Sequence, residues 1–307
     1  MDLSVQLAPA HQNGLVLANP VMTASGTFGY GTEYTELVDI QSLGAIVCKG
    51  TTLLPREGNP QPRLVETSYG LVNCVGMENI GVDAVVRHKA PIWATWRVPV
   101  IVNVMGETVS QYAEVATRLE GIPGISGIEL NISCPNVSAG GLEFGVDPRV
   151  AAEVTSVVKA VSSLPIIVKL TPNVTDVVEI ALAVEGAGAD AVCLINTVKG
   201  AAIDINKDDK YLKAIMGGLS GPAIKPIALR MVYDVAKAVQ VPVIGCGGVC
   251  CATDALDLIV AGASAVQVGT ATLTNPRAAL DILGGIEHFM REGGIQNLTE
   301  LIGMATS

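Results

Sequence analysis

Two lysines and three asparagines stand in or at the ends of short apolar runs in this chain. Lys49 and Lys169 each close a run rich in Val and Ile, and Asn103, Asn131 and Asn196 interrupt three further runs. A lysine can form a Schiff base with a carbonyl substrate, or it can supply a fixed positive charge to an electron-rich ring. Amide groups both donate and accept hydrogen bonds, which suits the edges of a heterocycle. Two lysines beside amides, without a paired Asp or Glu at the strand ends, favour the fixed charge.

A cysteine lies where one of these runs gives way to small residues. Cys134 stands between Asn131 and Asn136 in the segment LNISCPNVSAGG, residues 130–141. A free thiol titrates near pH 8.5, so a modest shift of its pKa would make it a usable base at neutral pH. The alternative is an inert buried thiol. The small residues at 137–141 are typical of a lid that closes over a site.

Glycine-rich turns follow two of the runs near the end of the chain. One is GCGG at 245–248, and the other is the pair Gly269 and Thr270. Such turns leave backbone N–H groups accessible to an anion, and barrels often bind a phosphate after strands seven and eight. The turns therefore predict a phosphorylated substrate or a phosphorylated cofactor such as FMN, with plain tight turns as the alternative.

The elements that must position these residues alternate between short apolar runs and helical patterns. Eight strands are predicted, at 19–26, 44–50, 98–106, 127–133, 165–171, 190–197, 241–248 and 264–270. Helices are predicted between them, for example at 110–120, 147–161 and 175–188, with Ser110 and Thr175 as N-caps. Eight such repeats predict an α/β fold of the (β/α)8 TIM barrel type, and a doubly wound open sheet is the alternative.

The barrel places the ends of its strands at one mouth, where the active site of such proteins lies. Long loops at 51–80 and 200–222 are expected over this C-terminal face, and a short β extension is expected at the N-terminus. The sequence shows no linker rich in Pro, Ser or charge. We therefore expect residues 1–307 to form a single barrel domain.

Composition and charge exclude several classes of partner. The 307 residues carry a net charge of −10, which argues against nucleic acid because phosphate backbones require a basic face. No apolar run approaches the roughly 18 residues of a membrane span, and the N-terminus lacks a basic segment followed by a long apolar stretch. The seven cysteines are an odd number and do not follow a metal-binding spacing. We expect a cytoplasmic protein that binds no membrane and no metal.

Several long motifs resemble those of the class 1 dihydroorotate dehydrogenases. They are NPVMTASGTFGYG, NPQPRL, NCVGMENIGVD, ELNISCPN, GGLSGPAIKPIALRMV and AGASAVQVGTATLTNP, and together they extend over almost the whole chain. The resemblance is strongest to the class 1B catalytic subunit. It implies an FMN-containing (β/α)8 barrel that oxidises (S)-dihydroorotate to orotate in pyrimidine biosynthesis.

The resemblance also implies a role for particular residues. Cys134 would be the catalytic base that takes the C5 proton while FMN accepts the C6 hydride, and Lys49 would stabilise developing enolate charge. The expected substrate-binding residues are Lys49, Asn73, Val75, Gly76, Met77, Asn131, Asn136, Asn196 and Thr197. The expected FMN-binding residues are Ala24, Ser25, Lys49, Asn103, Asn131, Lys169, Ile195, Gly221, Gly247, Gly248, Gly269 and Thr270.

The class 1B resemblance further implies a partner for electron transfer. A separate subunit with FAD and an iron–sulfur cluster would pass electrons to NAD, in a heterotetramer of two catalytic and two electron-transfer chains. A homodimer of this chain is expected within it. The alternatives are a class 1A homodimer that reduces fumarate, a related pyrimidine or hydantoin oxidoreductase, a flavin-free lyase or isomerase with a Schiff-base lysine, and a noncatalytic scaffold.

Three features depart from the family pattern. Thr23 stands where proline is frequent, and GCGGVCC at 245–251 contains more cysteine than usual. The segment 196–218 (NTVKGAAIDINKDDKYLKAIMGG) is locally unusual and lies in the long loop after the sixth predicted strand. None of these features removes an expected ligand of FMN or substrate.

Overall fold

The strands of the protein form one large sheet and three smaller ones. The computed structural model of the chain describes residues 1–133, 135–136, 142–203 and 214–306, with the backbone alone at 135, 136, 142 and 214. Within these residues the strands are β1 (Val5–Gln6), β2 (Val16–Leu17), β3 (Val21–Thr23), β4 (Ile46–Val47), β5 (Leu64–Thr67), β6 (Gly70–Asn73), β7 (Val100–Val104), β8 (Gly127–Asn131), β9 (Pro135–Asn136), β10 (Leu142–Glu143), β11 (Ile166–Lys169), β12 (Ala191–Leu194), β13 (Val198–Ile203), β14 (Ala214–Ser220), β15 (Val243–Cys246) and β16 (Ala263–Val268).

Helices follow most strands of the large sheet. Within the described residues the α-helices are α1 (Val82–Ala84), α2 (Ala90–Trp93), α3 (Val109–Leu119), α4 (Pro148–Val161), α5 (Val177–Gly186), α6 (Lys225–Ala236), α7 (Ala252–Val260), α8 (Ala271–Thr274) and α9 (Ala278–Glu292). A π-helical turn at Val85–Lys89 joins α1 to α2. Short 3₁₀ helices occur at Thr32–Tyr34, Ile40–Ser42, Phe144–Val146, Pro222–Ile224 and Leu298–Glu300.

The eight predicted strands form a parallel barrel. Their order around the sheet is β3-β16-β15-β12-β11-β8-β7-β4, and every neighbouring pair is parallel. The two edge strands then meet, because Met22 and Ala45 form a parallel bridge. The prediction of a (β/α)8 TIM barrel is thus confirmed, and the open-sheet alternative is wrong because this sheet has no free edge.

The seam between β3 and β4 is held by a threonine hydroxyl. The N–H of Val47 donates to Thr23 Oγ1 at 3.0 Å, and Thr23 is fully buried. The N–H of Gly44 donates to the carbonyl of Val21 at 2.8 Å. The departure at Thr23 therefore has a structural role, since its side chain bridges the two strands that close the barrel.

The barrel strands are apolar because both of their faces are covered. All five residues of β7 are buried, as are all four of β11 and of β12. Strands that pack inward on the barrel core and outward on helices have no solvated face, so their sequences read as continuous Val and Ile runs rather than alternating ones. This burial explains why the strand predictions from sequence succeed here.

The helix caps differ from the predicted ones by one or two residues. Helix α3 begins after Thr108, whose hydroxyl accepts from the N–H of Gln111, and α5 begins after Asp176. The predictions of Ser110 and Thr175 as N-caps are therefore wrong. In α5 the Asp176 carboxylate accepts from two backbone N–H groups, which is a stronger interaction than the hydroxyl of Thr175 would provide.

The long loops over the C-terminal face contain a second sheet. Strands β13, β14, β6 and β5 form an antiparallel sheet in that order, and they come from the loops after the second and sixth barrel strands. The sequence predicts these segments as loops, and the structure shows that much of them is strand. At the N-terminus β1 and β2 form the expected short β extension. In the described part of the chain no helix is long and apolar enough to cross a membrane.

Gly44 offers a test of the seam. A Cβ at Gly44 would lie 2.1 Å from the Asn19 carbonyl oxygen, whereas a Cβ at Gly284, on the exposed side of α9, would meet nothing within 4 Å. We predict that Gly44→Ala lowers the free energy of unfolding by about 1–3 kcal/mol, because backbone must move. The control Gly284→Ala should raise it by about 0.5–1 kcal/mol, since alanine favours a helix. Urea unfolding followed by circular dichroism measures both, and an unchanged midpoint for Gly44→Ala would contradict the prediction.

Candidate active site

A cavity of about 420 Å³ opens at the carboxyl ends of the barrel strands. Every residue expected at the site other than Cys134 and Asn136 lines it, although these residues come from all eight barrel strands or the loops that follow them. They are Ala24, Ser25, Lys49, Asn73, Val75, Gly76, Met77, Asn103, Asn131, Lys169, Ile195, Asn196, Thr197, Gly221, Gly247, Gly248, Gly269 and Thr270. The volume is within the usual range for a small-molecule or cofactor site.

The floor of the cavity contains a buried network of polar side chains. Glu129 is fully buried, and its carboxylate accepts from Asn103 Nδ2 at 2.7 Å and from Gln267 Nε2 at 2.5 Å. The side-chain oxygen of Gln267, Oε1, accepts a hydrogen bond from Lys169 Nζ at 2.7 Å. The Gln267 amide therefore links the carboxylate to the ammonium group, which lie 3.9 Å apart.

The network keeps a positive charge beneath the cavity. Lys169 is 4% exposed, and such burial by itself disfavours an ammonium ion. Cys246, whose sulfur is 3.7 Å from Lys169 Nζ, and Glu129 outweigh the burial, so the pKa of Lys169 is raised. In turn a hydrogen bond from Cys193, together with Lys169, lowers the pKa of Cys246. Lys169 thus supplies a fixed cation at all physiological pH values.

Both lysines have acidic partners, which corrects the expectation of no paired Asp or Glu. Glu129 lies within β8, two residues before Asn131, and the side-chain period of a strand places both on one face. Glu78 comes from the loop after the second barrel strand. The fixed-charge interpretation of Lys169 nevertheless gains support, because a paired and protonated amine is a poor nucleophile for Schiff-base formation.

A second charge cluster lies on the wall of the cavity. Lys49 Nζ is 3.2 Å from Glu78 Oε2, and the same oxygen accepts from Arg63 NH2 at 2.6 Å. All three residues line the cavity. The hydrogen bond to Lys49 and the nearby Arg63 hold the pKa of Glu78 below its usual range, so the carboxylate is charged near neutral pH. The group of Lys49, Arg63 and Glu78 is called the charged wall below.

The loop that carries Glu78 is held by hydrogen bonds of Asn79 and contains an unusual backbone angle at Met77. Asn79 is buried, and its amide donates to the Met77 carbonyl at 2.7 Å and to Thr52 Oγ1 at 2.8 Å. Met77 adopts a φ of +59°, which is uncommon for a residue other than glycine. Asn73, at the end of β6, donates to the Gly218 carbonyl at 3.1 Å. These bonds hold the loop that presents Val75, Gly76 and Met77 to the cavity.

An amide cluster faces the cavity from β8 and the end of β12. Asn196 Nδ2 donates to Asn131 Oδ1 and to Ser133 Oγ, both at 3.1 Å. The N–H of Thr197 donates to Asn196 Oδ1 at 2.8 Å. The two asparagine amides therefore have fixed orientations, as residues that read the polar edge of a ring require.

The turn after β15 cannot accommodate larger side chains. Gly247 and Gly248 have φ angles of +126° and +75°. A Cβ at Gly248 would lie 2.6 Å from the Cβ of Lys225, at the start of α6. Glycine is thus needed both for conformation and for close packing against α6, and both glycines line the cavity.

Parts of the predicted site lie outside the described residues. Cys134 and the predicted lid at 137–141 are among them, and for Asn136 the backbone alone is described, in β9. Their roles remain predictions. In the described part of the chain no group of three or more His, Cys, Asp or Glu side chains could hold a metal ion.

Sequence reasoning missed Arg63, Glu78, Glu129 and Gln267. Arg63 lies within the motif NPQPRL, and Glu78 lies within NCVGMENIGVD, directly after Met77. Glu129 and Gln267 are polar residues inside apolar strands, two positions before Asn131 and Gly269. Side chains two positions apart in a strand point to the same face, so Glu129 and Gln267 could have been predicted to lie beside these site residues.

The fold and the cavity define a (β/α)8 barrel with a cationic binding site at its strand ends. The family model for dihydroorotate dehydrogenase matches residues 9–290, and the chain belongs to the dihydroorotate dehydrogenase family.

Close relatives share almost the full length of the chain. The protein from Desulforamulus reducens named dihydroorotate dehydrogenase B (NAD(+)), catalytic subunit, is 56% identical over 95% of this chain and 96% of its own length. Proteins of the same name from Geotalea uraniireducens and Trichlorobacter lovleyi are 53% and 54% identical over 98% and 94% of this chain, and over 97% and 95% of their own lengths.

Gln267 offers a test of the buried network. We predict that Gln267→Leu lowers the free energy of unfolding by about 2–4 kcal/mol, because both Glu129 and Lys169 lose a buried hydrogen-bond partner. The control is Gln240→Leu at an exposed position, for which we expect a change within about 0.5 kcal/mol. Chemical denaturation measures the difference. Equal stability of the two variants would show that the network is not coupled through Gln267.

Proposed function

We propose that this protein is the catalytic subunit of an FMN-dependent dihydroorotate dehydrogenase, which oxidises (S)-dihydroorotate to orotate in pyrimidine biosynthesis. The observation that carries the proposal is the convergence of two lysines, three asparagines and a glycine turn on one cavity. Relatives more than 50% identical over nearly their full length are named for this activity. We also propose that residues 1–307 act as one domain in the cytoplasm.

The cavity fits FMN by two independent features. The side-chain oxygen of Asn103 is buried and has no hydrogen-bond partner among the described residues, so it is available to a donor of the bound group. The turn at Gly247 and Gly248 leaves N–H groups for a phosphate. Asn103, Lys169 and the amide of Asn131 would hold the flavin part, and Gly221, Gly247, Gly248, Gly269 and Thr270 would surround the phosphate end.

The residues of the chain divide the remaining work. FMN, when bound, supplies the acceptor for the hydride that leaves the substrate ring. Lys169, held by Gln267 and Glu129, would contribute a permanent positive charge to the flavin part of the site. Asn131, Asn196 and Thr197 would hold the carboxylate and ring amides of the substrate, together with Asn73 and Asn136. Lys49 would stabilise the negative charge that develops when a proton leaves the substrate.

Cys134 is the proposed base for that proton. It follows Ser133 in the sequence, and the hydroxyl of Ser133 accepts a hydrogen bond from Asn196 of the amide cluster. A thiol can accept the proton once its pKa lies near the working pH. The buried thiol of Cys48 is a poor alternative base, because burial raises its pKa to about 12.

The test uses the purified chain with its flavin. We predict a yellow protein whose flavin absorbance is bleached by dihydroorotate under anaerobic conditions. Cys134→Ala should slow the bleaching by about 100- to 10,000-fold, as expected for loss of a general base, while the flavin stays bound. Cys48→Ala is the control and should bleach at the normal rate. Rapid bleaching of Cys134→Ala would remove the assignment of the base, and a colourless protein would favour a flavin-free lyase or isomerase.

We further propose that electrons leave through a second subunit that carries FAD and an iron–sulfur cluster. The name of the close relatives, catalytic subunit of an NAD(+) enzyme, supports a separate subunit for this step. We propose a heterotetramer of two catalytic and two electron-transfer chains, with a homodimer of this chain at its centre.

The electron acceptor can be identified by adding the partner. We predict that the isolated chain oxidises dihydroorotate with an artificial dye but reduces NAD at less than about 1% of that rate, and that NAD reduction appears when the electron-transfer subunit from the same source is added. The increase in absorbance at 340 nm measures the rate of NAD reduction. Rapid reduction of fumarate by the isolated chain would contradict this prediction and support the class 1A alternative.

A further inference from the structure

The charged wall has an uneven balance of positive and negative charge. Lys49 and Arg63 are cations, and Glu78 is the one carboxylate among the described cavity-lining residues. The Glu78 side chain is 38% exposed, so its charge is only partly screened by solvent. An anionic ligand at this wall therefore meets two attractive charges and one repulsive charge, in addition to the attraction of Lys169 at the floor.

Glu78 cannot easily leave this position. Its carboxylate oxygen Oε2 accepts hydrogen bonds from both Lys49 and Arg63. The side chain of the adjacent Asn79 holds the backbone in place through hydrogen bonds to the Met77 carbonyl and Thr52 Oγ1. A carboxylate held in this way behaves as a permanent part of the wall rather than as a mobile side chain. It also occupies hydrogen-bond donors of both cations that an anionic ligand would otherwise use.

We propose that Glu78 sets the affinity of the site for anionic ring ligands, by offsetting the charge of Lys49 and Arg63 and so favouring release of an acidic product. This inference rests on the proposed function, since dihydroorotate and orotate are both carboxylates. Two like charges several ångströms apart near a protein surface repel each other, and we expect this repulsion to weaken the binding of an anionic ligand about three- to tenfold. Glu78 thus weakens binding without touching the reacting atoms.

The experiment measures binding by the flavin-loaded protein. Orotate and its neutral methyl ester are titrated while the flavin absorbance is followed, for wild type and for Glu78→Gln. We expect Glu78→Gln to bind orotate about three- to tenfold more tightly and the ester with unchanged affinity. The gain for orotate should shrink as the salt concentration rises, because salt screens exposed charges.

Two further variants separate charge from loop structure. Glu78→Asp keeps the charge and should bind orotate as wild type does. Glu107→Gln removes the same charge from the Arg56–Glu107 pair, which lies 2.6 Å apart but does not line the cavity, and should change neither affinity.

The outcomes distinguish this inference from the proposed function. Unchanged or weaker orotate binding by Glu78→Gln overturns the inference, and so does an equal change for orotate and the ester, which would indicate a disturbed loop. If wild type is reduced by dihydroorotate in either case, the proposed function stands. Failure of wild type to bind orotate overturns both.

Discussion

Closure of the parallel barrel is the constraint on which the rest of the structure depends. The seam between β3 and β4 consists of a few backbone hydrogen bonds, one threonine hydroxyl and a glycine that lies against the Asn19 carbonyl. Because closure removes the free edges of the sheet, all eight carboxyl ends must converge on one mouth. Lys49, Asn103 and Lys169 are far apart in the chain, and they share a cavity for this reason.

Charge is distributed differently at the two levels of the cavity. At the floor, Lys169 and Glu129 are buried and connected through Gln267, so neither can lose its partner without a large cost. At the wall, Lys49, Arg63 and Glu78 are partly exposed, so the two cations can contact a ligand while Glu78 opposes an anionic one. The floor suits a permanent electrostatic role toward a bound cofactor. The wall suits a ligand that must arrive and leave.

Much of the fold can be predicted from the sequence for one reason. Strands covered on both faces require nearly continuous Val, Ile and Ala runs, and those runs are visible without any structure. The first residues of the helices are harder to predict, because Thr108 and Asp176 each lie near another residue of a type that can cap a helix. The sheet of β5, β6, β13 and β14 escapes prediction because the two strands at its centre, β6 and β14, come from loops that are distant in the chain.

The sequence by itself determined the eight strand runs, the polar residues at their ends, the glycine turns and the family resemblance. Those features depend on local pattern, which the order of residues contains in full. Only the tertiary structure decided that Glu129 and Gln267 support Lys169, and that Glu78 joins Lys49 to Arg63. The effect of a charged side chain depends on which groups surround it and how deeply it is buried, and these are properties of the folded chain.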